Sequence, residues 1–402
     1  MSLTEAVLRK DIRERLFSPS HSAVPRAIGV ELELIPVDGR TRHVIPVRDE
    51  MRSTGGVLAR LAAREGWSEE TAQSDPSSWN LPDGARISFE PGGQIEISSS
   101  PHPAASALID AMTRVVGQID EEMRAEGIAL VAAGVDPCND IASVPLQLHR
   151  ERYAMMTDYF DSRGVSGVRM MRQTAALQIN VERGSDPATR WLLLNALAPL
   201  VIALFANSRV YGGSDTGFAS YRAHIWRTLD TSRTGIVYDV ADPAEHYLRF
   251  ALDAFAMQSG KDRKSARYVS FGEWMRNAEL SLEDWHFHLS TLFPEVRPKS
   301  YFEIRSADTI EVRSIAAPVV FVTGLIYDPA TASRAIHLLG APRPELVERA
   351  GRLGLKDPEL RKLVAGSVDL AVVGARALGS EYITGEHIES AREYFARALD
   401  AT

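Results

Sequence analysis

The chain has 402 residues, of which 45% are hydrophobic, and its formal net charge at pH 7 is −8. This content is sufficient for a large core, and the acidic balance, without a basic run containing aromatics, argues against nucleic-acid binding. No run approaches about 18 consecutive apolar residues, so we expect no membrane span. The single cysteine, Cys138, excludes an intrachain disulfide and a cysteine-cluster metal site. These features predict a cytoplasmic protein.

The apolar pattern predicts helices and short strands in irregular alternation. In chain order, the predicted elements are a helix within residues 1–17, a strand at Ile28–Ile35, a helix around Arg52–Glu65, a loop at Asp75–Gly84, a hairpin within Ile87–Ser98, a helix at Pro103–Gly127, strands at Ile128–Ala133 and Leu177–Glu182, helices at Trp191–Ala206 and Asp242–Phe255, a partly helical segment at Phe271–Leu292, a strand at Tyr301–Arg305, and helices at Pro358–Leu378 and Gly385–Leu399. Because regular βαβ spacing is lacking, we expect an α+β fold with an antiparallel sheet. We expect a single catalytic domain over residues 1–402, with a helical portion at about 329–402.

Four of the predicted strands carry acidic or amide side chains on one face. In the first, Glu31 and Glu33 alternate with apolar residues, and successive side chains of a strand point to opposite faces, so both carboxylates share one surface. An acidic face assembled from distant segments is costly unless cations gather there. The pattern therefore predicts a site for Mg²⁺ and a polyphosphate, because Mg²⁺ prefers carboxylate, phosphate and water oxygens.

The densest motif is the segment Phe89–Ser98. Gln94, Glu96 and Ser98 alternate with two isoleucines, so one side of this strand is polar, and Glu90 lies just before the Pro-Gly-Gly turn. The candidate ligands, enough for two or three ions, are Glu31, Glu33, Glu90, Glu96 and Glu303. A solvated sheet face explains any one of them more simply, but such a face would mix lysine, threonine and arginine among the acids. The set as a whole therefore favours a metal site.

A basic cluster lies at residues 221–235 and contains Arg222, Trp226 and Arg233. Arginine can hold a carboxylate or a phosphate through two parallel hydrogen bonds, although structural ion pairs are an equal alternative for Arg222 and Arg233. Further on, Glu303 and Arg305 lie two residues apart and so share one strand face. That pairing suits a metal ligand beside a group that stabilises a transferring phosphate.

The order of these motifs resembles that of a known enzyme family. The segments that carry the resemblance are GVELEL, FEPGGQIEISSSP, MMRQTAALQINVE, ALFANS, YRAHIW with DTSRTG, and TLFPEVRPKSYFEIRSAD followed by GLIYD, within residues 28–328. They are similar to glutamate–cysteine ligases, in the branch shared by plant-type enzymes and the bacterial ligases of ergothioneine biosynthesis. One such motif would be weak evidence for the family, whereas six motifs in the family's order are specific evidence. The C-terminal helices contribute little.

The resemblance implies a fold like that of glutamine synthetase, in which a curved, mainly antiparallel sheet flanked by helices forms a bowl for Mg²⁺ and ATP. It also implies that ATP phosphorylates the γ-carboxylate of glutamate and that the amine of cysteine then displaces phosphate. The product would be γ-glutamylcysteine, a precursor in thiol biosynthesis, with the glutathione and ergothioneine pathways both open. The oligomeric state is not indicated.

The resemblance further implies roles for individual residues. The five glutamates named above would be metal ligands or their close neighbours. Arg222 would hold the α-carboxylate of glutamate beside Trp226, and Arg305 would face the γ-phosphate. The remaining expected contacts are Gln94, Ser98, Gln178 and Asn180 on the nucleotide side and Arg172, Gln173, Thr174 and Arg233 on the amino-acid side.

One position departs from the plant-type pattern. Plant-type enzymes carry an arginine directly before Thr174, where this chain has Gln173; the ergothioneine-type ligases also lack that arginine. Arg172 lies one place earlier, which on a strand would reverse its face. The acceptor amine therefore stays open: cysteine, another amine, or no acceptor at all in a non-catalytic relative that binds nucleotide or metabolite. The presence of all five glutamates with both arginines argues against the last alternative.

Overall fold

The computed structural model describes residues 3–20, 26–49, 51–71, 76–238, 240–257 and 269–401. The first two residues of the predicted N-terminal helix and Asp75, at the start of the predicted loop, lie outside this part of the chain. The helices are α1 (Glu5–Asp11), α2 (Thr54–Glu65), α3 (Ala105–Ala125), α4 (Glu151–Asp161), α5 (Val165–Gln173), α6 (Pro187–Leu204), α7 (Tyr221–Leu229), α8 (Pro243–Asp253), α9 (Phe271–Asn277), α10 (Leu282–Ser290), α11 (Ala316–Ile326), α12 (Pro329–Leu339), α13 (Glu345–Leu353), α14 (Pro358–Ala377) and α15 (Gly385–Asp400).

The strands are short, apart from the first. They are β1 (Ile28–Asp38), β2 (Ser68–Glu70), β3 (Ser78–Asn80), β4 (Arg86–Phe89), β5 (Ile95–Ser98), β6 (Ile128–Val131), β7 (Ala176–Val181), β8 (Val210–Tyr211), β9 (Ser214–Asp215), β10 (Thr234–Gly235), β11 (Phe293–Pro294), β12 (Val296–Pro298) and β13 (Phe302–Asp308). The main sheet has the order β12-β13-β7-β1-β5-β4-β3-β2, with β6 on the second half of β1. Its described pairings are all antiparallel, which confirms the predicted fold class.

The register brings the predicted polar residues together on one face. Glu33 lies opposite Glu96 on β5, and Glu31 lies between Ser98 and Gln178 on its two neighbouring strands. Residues directly opposite each other in an antiparallel pair point to the same side of the sheet. The polar positions of β5, β1, β7 and β13 therefore form one continuous face of the sheet.

The opposite face of the same strands is apolar and packs into the core. Val30, Leu32, Ile97, Ile179 and Ile304 are essentially inaccessible to solvent. Helix α6 packs against β12 and β13, α3 against β1, and α11 against β7. The alternation of polar and apolar residues in the sequence therefore places the core on one side of the sheet and the polar groups on the other.

The helix α6 contains the apolar run that the sequence predicts to be a buried helix. Of the helices in the described ranges, it alone is long and apolar enough to cross a bilayer, and 78% of its apolar window is buried inside the protein. The segments Val312–Ile326 and Pro329–Leu339 meet the same criterion only when taken together, and they are bent by 94°. Burial in the core accounts for the composition of α6.

The strand geometry assumed for Arg172 and Gln173 is not observed. The segment MMRQ belongs to the end of α5, so the inference that Arg172 and Gln173 alternate between the faces of a strand is wrong. The turn between β4 and β5 packs tightly against this helix end. A Cβ atom added at Gly92 would lie 1.9 Å from the carbonyl oxygen of Arg172, and Gly93 has a φ of +91°. These glycines therefore serve the close packing of the turn.

Candidate active site

The polar face of the sheet forms the floor of a cavity of about 290 Å³. The residues that the sequence predicts to act here and that line the cavity are Glu31, Glu33, Glu90, Glu96, Glu303, Gln94, Thr174, Gln178, Arg222, Trp226 and Arg305. They come from β1, β5, β7 and β13, from the turn before β5, from the C-cap of α5 and from α7. All five candidate metal ligands and both candidate catalytic arginines therefore share one cavity.

A second cavity of about 290 Å³ adjoins the first. Both are lined by Glu31, Glu90, Glu96, Arg150 and Tyr153. Only the second has a side wall of serines with an arginine, formed by Ser77, Ser78, Arg86, Ser88 and Ser98. The two cavities are thus lobes of one site that meet at the acidic wall, and we call them the arginine lobe and the serine lobe.

The glutamates at the β1–β5 end of the floor repel one another. Burial raises the pKa of Glu90 well above its ordinary value, and repulsion by Glu96 and Glu33 adds to this rise. Burial, together with repulsion by Glu31 and Glu33, raises the pKa of Glu96 to about 7. Burial also raises the pKa of Glu33, against the attraction of Arg222. At this end of the floor, the attraction of Arg222 and Arg305 therefore does not outweigh burial and mutual repulsion.

Glu303, at the β13 end, has the opposite environment. Lys299 Nζ lies 2.5 Å from Oε1, and Arg305 Nη1 lies 2.5 Å from Oε2, with Arg297 Nη1 at 3.4 Å. Burial alone would raise the pKa of Glu303, but these three cations outweigh it and lower the pKa to about 2. Glu303 is fully buried and carries a stable negative charge.

The donor set suits divalent cations. In the described part of the chain, no three or more His, Cys, Asp or Glu side chains are already arranged as a metal site. The acids at the β1–β5 end nevertheless offer carboxylate oxygens whose mutual repulsion a cation would relieve, and carboxylate oxygens are the ligands that Mg²⁺ prefers. The residues present therefore fit Mg²⁺ after side-chain adjustment.

Arg222 is positioned by the start of α7. The hydroxyls of Ser208 and Ser220 both donate to the carboxylate of Asp308 at the end of β13, at 2.7 and 2.9 Å. Ser220 caps the helix, and Ser208 accepts a hydrogen bond from the backbone N–H of Arg222. The Asp308 carboxylate thus fixes the arginine of one element beside the strand that carries Arg305.

The two arginines share an aromatic partner and keep unused donors. Arg222 Nη2 donates to the carbonyl oxygen of Arg305 at 2.7 Å, and each guanidinium carbon lies 5.1 Å from the Trp226 ring centroid. Within the described residues, the buried Nε atoms of both arginines and the Trp226 Nε1 have no hydrogen-bond acceptor. A ligand with anionic oxygens could satisfy these donors, which otherwise carry a cost.

Part of the lining of the arginine lobe is apolar, and we call this part the apolar wall. Met156 on α4, Met170 and Met171 on α5, and Phe293 line the arginine lobe next to Trp226. The sequence suggests only core filling for these methionines, and they do belong to a buried cluster, but the same cluster also faces the cavity. Sulfur-containing side chains beside aromatic rings form a soft, adaptable surface.

The four residues predicted on the nucleotide side differ in their contacts, and only Asn180 lines neither lobe. Gln94 is buried, and its amide accepts from the Gly92 N–H and donates to the Thr174 carbonyl oxygen, so it braces the turn. Asn180 donates to Glu31 at 2.9 Å but does not line either lobe. Ser98 lines the serine lobe, and Gln178 accepts from Arg305 at 2.6 Å.

Three residues predicted to bind substrate do not line the cavity. Arg233 is completely buried and donates to Asp230 at 2.9 Å, to Thr291 and to the Phe255 carbonyl oxygen, which fits the alternative of a structural ion pair. The Gln173 side chain donates to the carbonyl oxygen of Asn139 and accepts from the hydroxyl of Tyr211. Arg172 presents its backbone to the β4–β5 turn. The structure thus places these three residues outside the cavity lining, and their predicted substrate contacts stay predictions.

Several cavity residues were not predicted. They are Lys299, Arg297, Arg150, Arg152, Tyr153, Met156, Met170, Met171 and Phe293. Arg297 lies directly opposite Glu303 in the β12–β13 hairpin, so recognition of that hairpin in VRPKSYFEIR would have found it. The residues of α4 and α5 reach the site through helix packing, which leaves no local signal.

Comparisons with known proteins identify the family of this chain. A family model described as glutamate–cysteine ligase family 2 matches residues 27–379. The chain is 34% identical over 320 residues to the glutamate–cysteine ligase EgtA of Mycolicibacterium smegmatis, covering 76% of this chain and 74% of the relative. It is 32% identical over 346 residues to the chloroplastic glutamate–cysteine ligase A of Oryza sativa subsp. japonica, covering 82% and 68%. The plant relative is chloroplastic, and the cytoplasmic location of this chain stays a prediction.

A solved structure shares the fold. A glutamate–cysteine ligase of Francisella tularensis, determined in complex with AMP, superposes with a TM-score of 0.56 over 96% of this chain and 83% of its own. Sequence identity is only 9%. The similarity therefore supports the open antiparallel sheet with its flanking helices, independently of sequence.

Proposed function

The chain belongs to glutamate–cysteine ligase family 2 and is thus a carboxylate–amine ligase, and we propose that it joins glutamate to cysteine in a reaction that depends on ATP and Mg²⁺. The observation that carries the proposal is the single cavity with five glutamates on its floor and Arg222, Arg305 and Trp226 at its side. A site for one small anion would need far fewer acids.

The chemistry explains why both charge types are required. A carboxylate is a poor electrophile, so the γ-carboxylate oxygen of glutamate attacks the γ-phosphorus of ATP and ADP leaves. The amine nitrogen then attacks the acyl carbon of γ-glutamyl phosphate, inorganic phosphate leaves, and the nitrogen loses a proton. Positioning and stabilisation of the transferring phosphoryl group supply most of the acceleration in such reactions.

Glutamate is assigned to the arginine lobe. The unused Nε donors of Arg222 and Arg305 and the indole N–H of Trp226 can receive carboxylate and phosphate oxygens. Arg222 is buried and held by Ser208 and Asp308, so it would bind the α-carboxylate with little loss of side-chain entropy. Arg305, beside Glu303, would stabilise the phosphoryl group.

The nucleotide is assigned to the serine lobe, with its phosphates at the acidic wall that both lobes share. Ser98 and the neighbouring serines and Arg86 offer hydrogen-bond partners there. Glu31, Glu33, Glu90, Glu96 and Glu303 would hold two or three Mg²⁺ ions. When bound, Mg²⁺ neutralises phosphate charge and polarises the phosphoryl group. Asn180 and Gln94 would orient these ligands.

The acceptor amine is assigned to the apolar wall. Met156, Met170, Met171 and Phe293 suit an uncharged thiol side chain better than a charged one. This favours cysteine over an amine that carries a charged side chain. A different small amine remains the alternative, since Gln173 replaces the plant-type arginine and lies buried outside the cavity.

The test is an ADP-release assay with Mg²⁺-ATP, glutamate and a panel of amines, with the products identified by mass. Release of one ADP per γ-glutamylcysteine, with cysteine only, is expected. Release only with another amine would replace the acceptor while keeping the glutamyl phosphate step. Absence of turnover with every amine would contradict the proposal and favour a binding-only relative.

A further inference from the structure

Lys299 makes the most exposed of the three cationic contacts to Glu303. It lies in the hairpin turn between β12 and β13, and its ammonium contacts Glu303 Oε1 at 2.5 Å and the Tyr301 hydroxyl at 3.2 Å. Its side chain is 34% exposed, against 11% for Arg305. The ammonium therefore sits at the mouth of the cavity on a long, flexible stem.

The two arginines are anchored in ways that the lysine is not. Arg305 also donates to Gln178 at 2.6 Å, and Arg297 donates to the Leu292 carbonyl oxygen at 3.0 Å. Both contact Oε2 of Glu303, whereas Lys299 contacts Oε1. Only one oxygen of this carboxylate is thus held by a group that can leave without disturbing the strand.

We propose that Lys299 is an exchangeable counter-ion: its ammonium neutralises Glu303 in the metal-free protein, yields Oε1 to a divalent cation, and moves to the phosphates of the bound nucleotide. The inference rests on the proposed function, because it takes Glu303 as a metal ligand. It adds an order to metal binding that the ligand set alone does not imply.

The order follows from the charge balance of the floor. A first divalent ion relieves repulsion among Glu33, Glu90 and Glu96, whose pKa values stay raised despite the attraction of Arg222 and Arg305. A further ion at Glu303 must displace Lys299 and then lies near a positive charge, which weakens binding. Nucleotide phosphates remove this penalty, because they offer the ammonium a new anionic partner.

The experiment measures Mn²⁺ binding, with free Mn²⁺ followed by electron paramagnetic resonance, on the full chain with and without ADP. The variants are Lys299→Met, which keeps the length but loses the charge, and Lys299→Arg, which keeps the charge. Lys10→Met is the matched control, because Lys10 is 71% exposed on α1 and pairs with Glu14. Circular dichroism verifies that each variant is folded.

Without ADP, Lys299→Met should tighten the weaker class of Mn²⁺ sites about tenfold or more, while Lys299→Arg and Lys10→Met stay near wild type. With ADP the difference should shrink, and Lys299→Met should bind ADP more weakly. Unchanged or weaker Mn²⁺ binding in Lys299→Met without ADP would overturn the inference. If the wild type ligates glutamate but the variants bind Mn²⁺ alike, only this inference fails; a wild type that binds no Mn²⁺ removes the metal from the proposed function as well.

Discussion

The two ends of the cavity floor solve opposite electrostatic problems. At the β1–β5 end, Glu33 is buried and Glu90 and Glu96 are half-buried, and the pKa values of all three are raised by desolvation and mutual repulsion. At the β13 end, Glu303 is completely buried, but three cations lower its pKa to about 2. At the first end, a bound cation would relieve the repulsion among the carboxylates. At the second end, protein cations already neutralise the carboxylate. Glutamates on one sheet face therefore lie in two opposite electrostatic environments.

The largest expected effect on turnover is at the β1–β5 end of the floor. Glu96→Gln should lower ligase turnover at least about a hundredfold, because it removes a carboxylate oxygen from the proposed metal site. Its melting temperature without metal should stay equal or rise, since the change removes repulsion. Steady-state kinetics and thermal unfolding in EDTA measure the two quantities. Near-wild-type turnover at limiting Mg²⁺ would remove Glu96 from the metal site.

Glu303→Gln sharpens the contrast. Turnover should fall to a similar degree, but here the free energy of unfolding without metal should also fall, by about 3 kcal/mol, because Arg305, Arg297 and Lys299 lose their buried partner. Urea unfolding of the metal-free protein gives this value. Equal stability of Glu303→Gln and Glu96→Gln would break the distinction between the two ends.

Arg222 extends the comparison to the side of the cavity. Arg222→Lys should raise the KM for glutamate about tenfold, since a lysine cannot make two parallel hydrogen bonds to a carboxylate. The KM for ATP should change much less, because the nucleotide is assigned to the other lobe. Initial rates with each substrate varied in turn separate the two constants. An unchanged glutamate KM would place the α-carboxylate elsewhere.

The smallest expected effect is a pH dependence of stability. The pKa of Glu96 is raised from 4.5 to about 7, so the folded state binds more protons than the unfolded state between these values. Metal-free stability should therefore be highest below pH 4.5 for this group and should fall as the pH rises through 7. The melting temperature of the wild type should drop by about 2 °C more than that of Glu96→Gln over this interval. Identical profiles would contradict the raised pKa.

The floor of the site was predictable because a strand has a period of two. Glu31, Glu33 and Glu96 each alternate with apolar residues, and their face follows from the core that the apolar residues form. The hairpin of β4 and β5 was likewise marked by its glycine turn. In these segments local sequence and tertiary position carry the same information.

The side of the site was less predictable because helices place it there by long-range packing. The MMRQ segment continues the pattern of a buried element, and only the structure identifies it as the end of α5. Arg233 illustrates the same limit, since one pattern fits a substrate contact and an internal ion pair equally well. Only the structure identifies its partners, which include Asp230 and Thr291.

The strand order has a consequence for how the protein is made. The floor joins β1 and β5 to β7 and then to β13, so its neighbours come from residues 28–38, 95–98, 176–181 and 302–308. Such a high contact order slows folding, because long loops must close before the pairing is rewarded. A nascent chain that has reached β7 holds four of the five glutamates but not Glu303, Arg305 or Lys299. We therefore expect catalytic competence to appear in one late step, when the last strand docks.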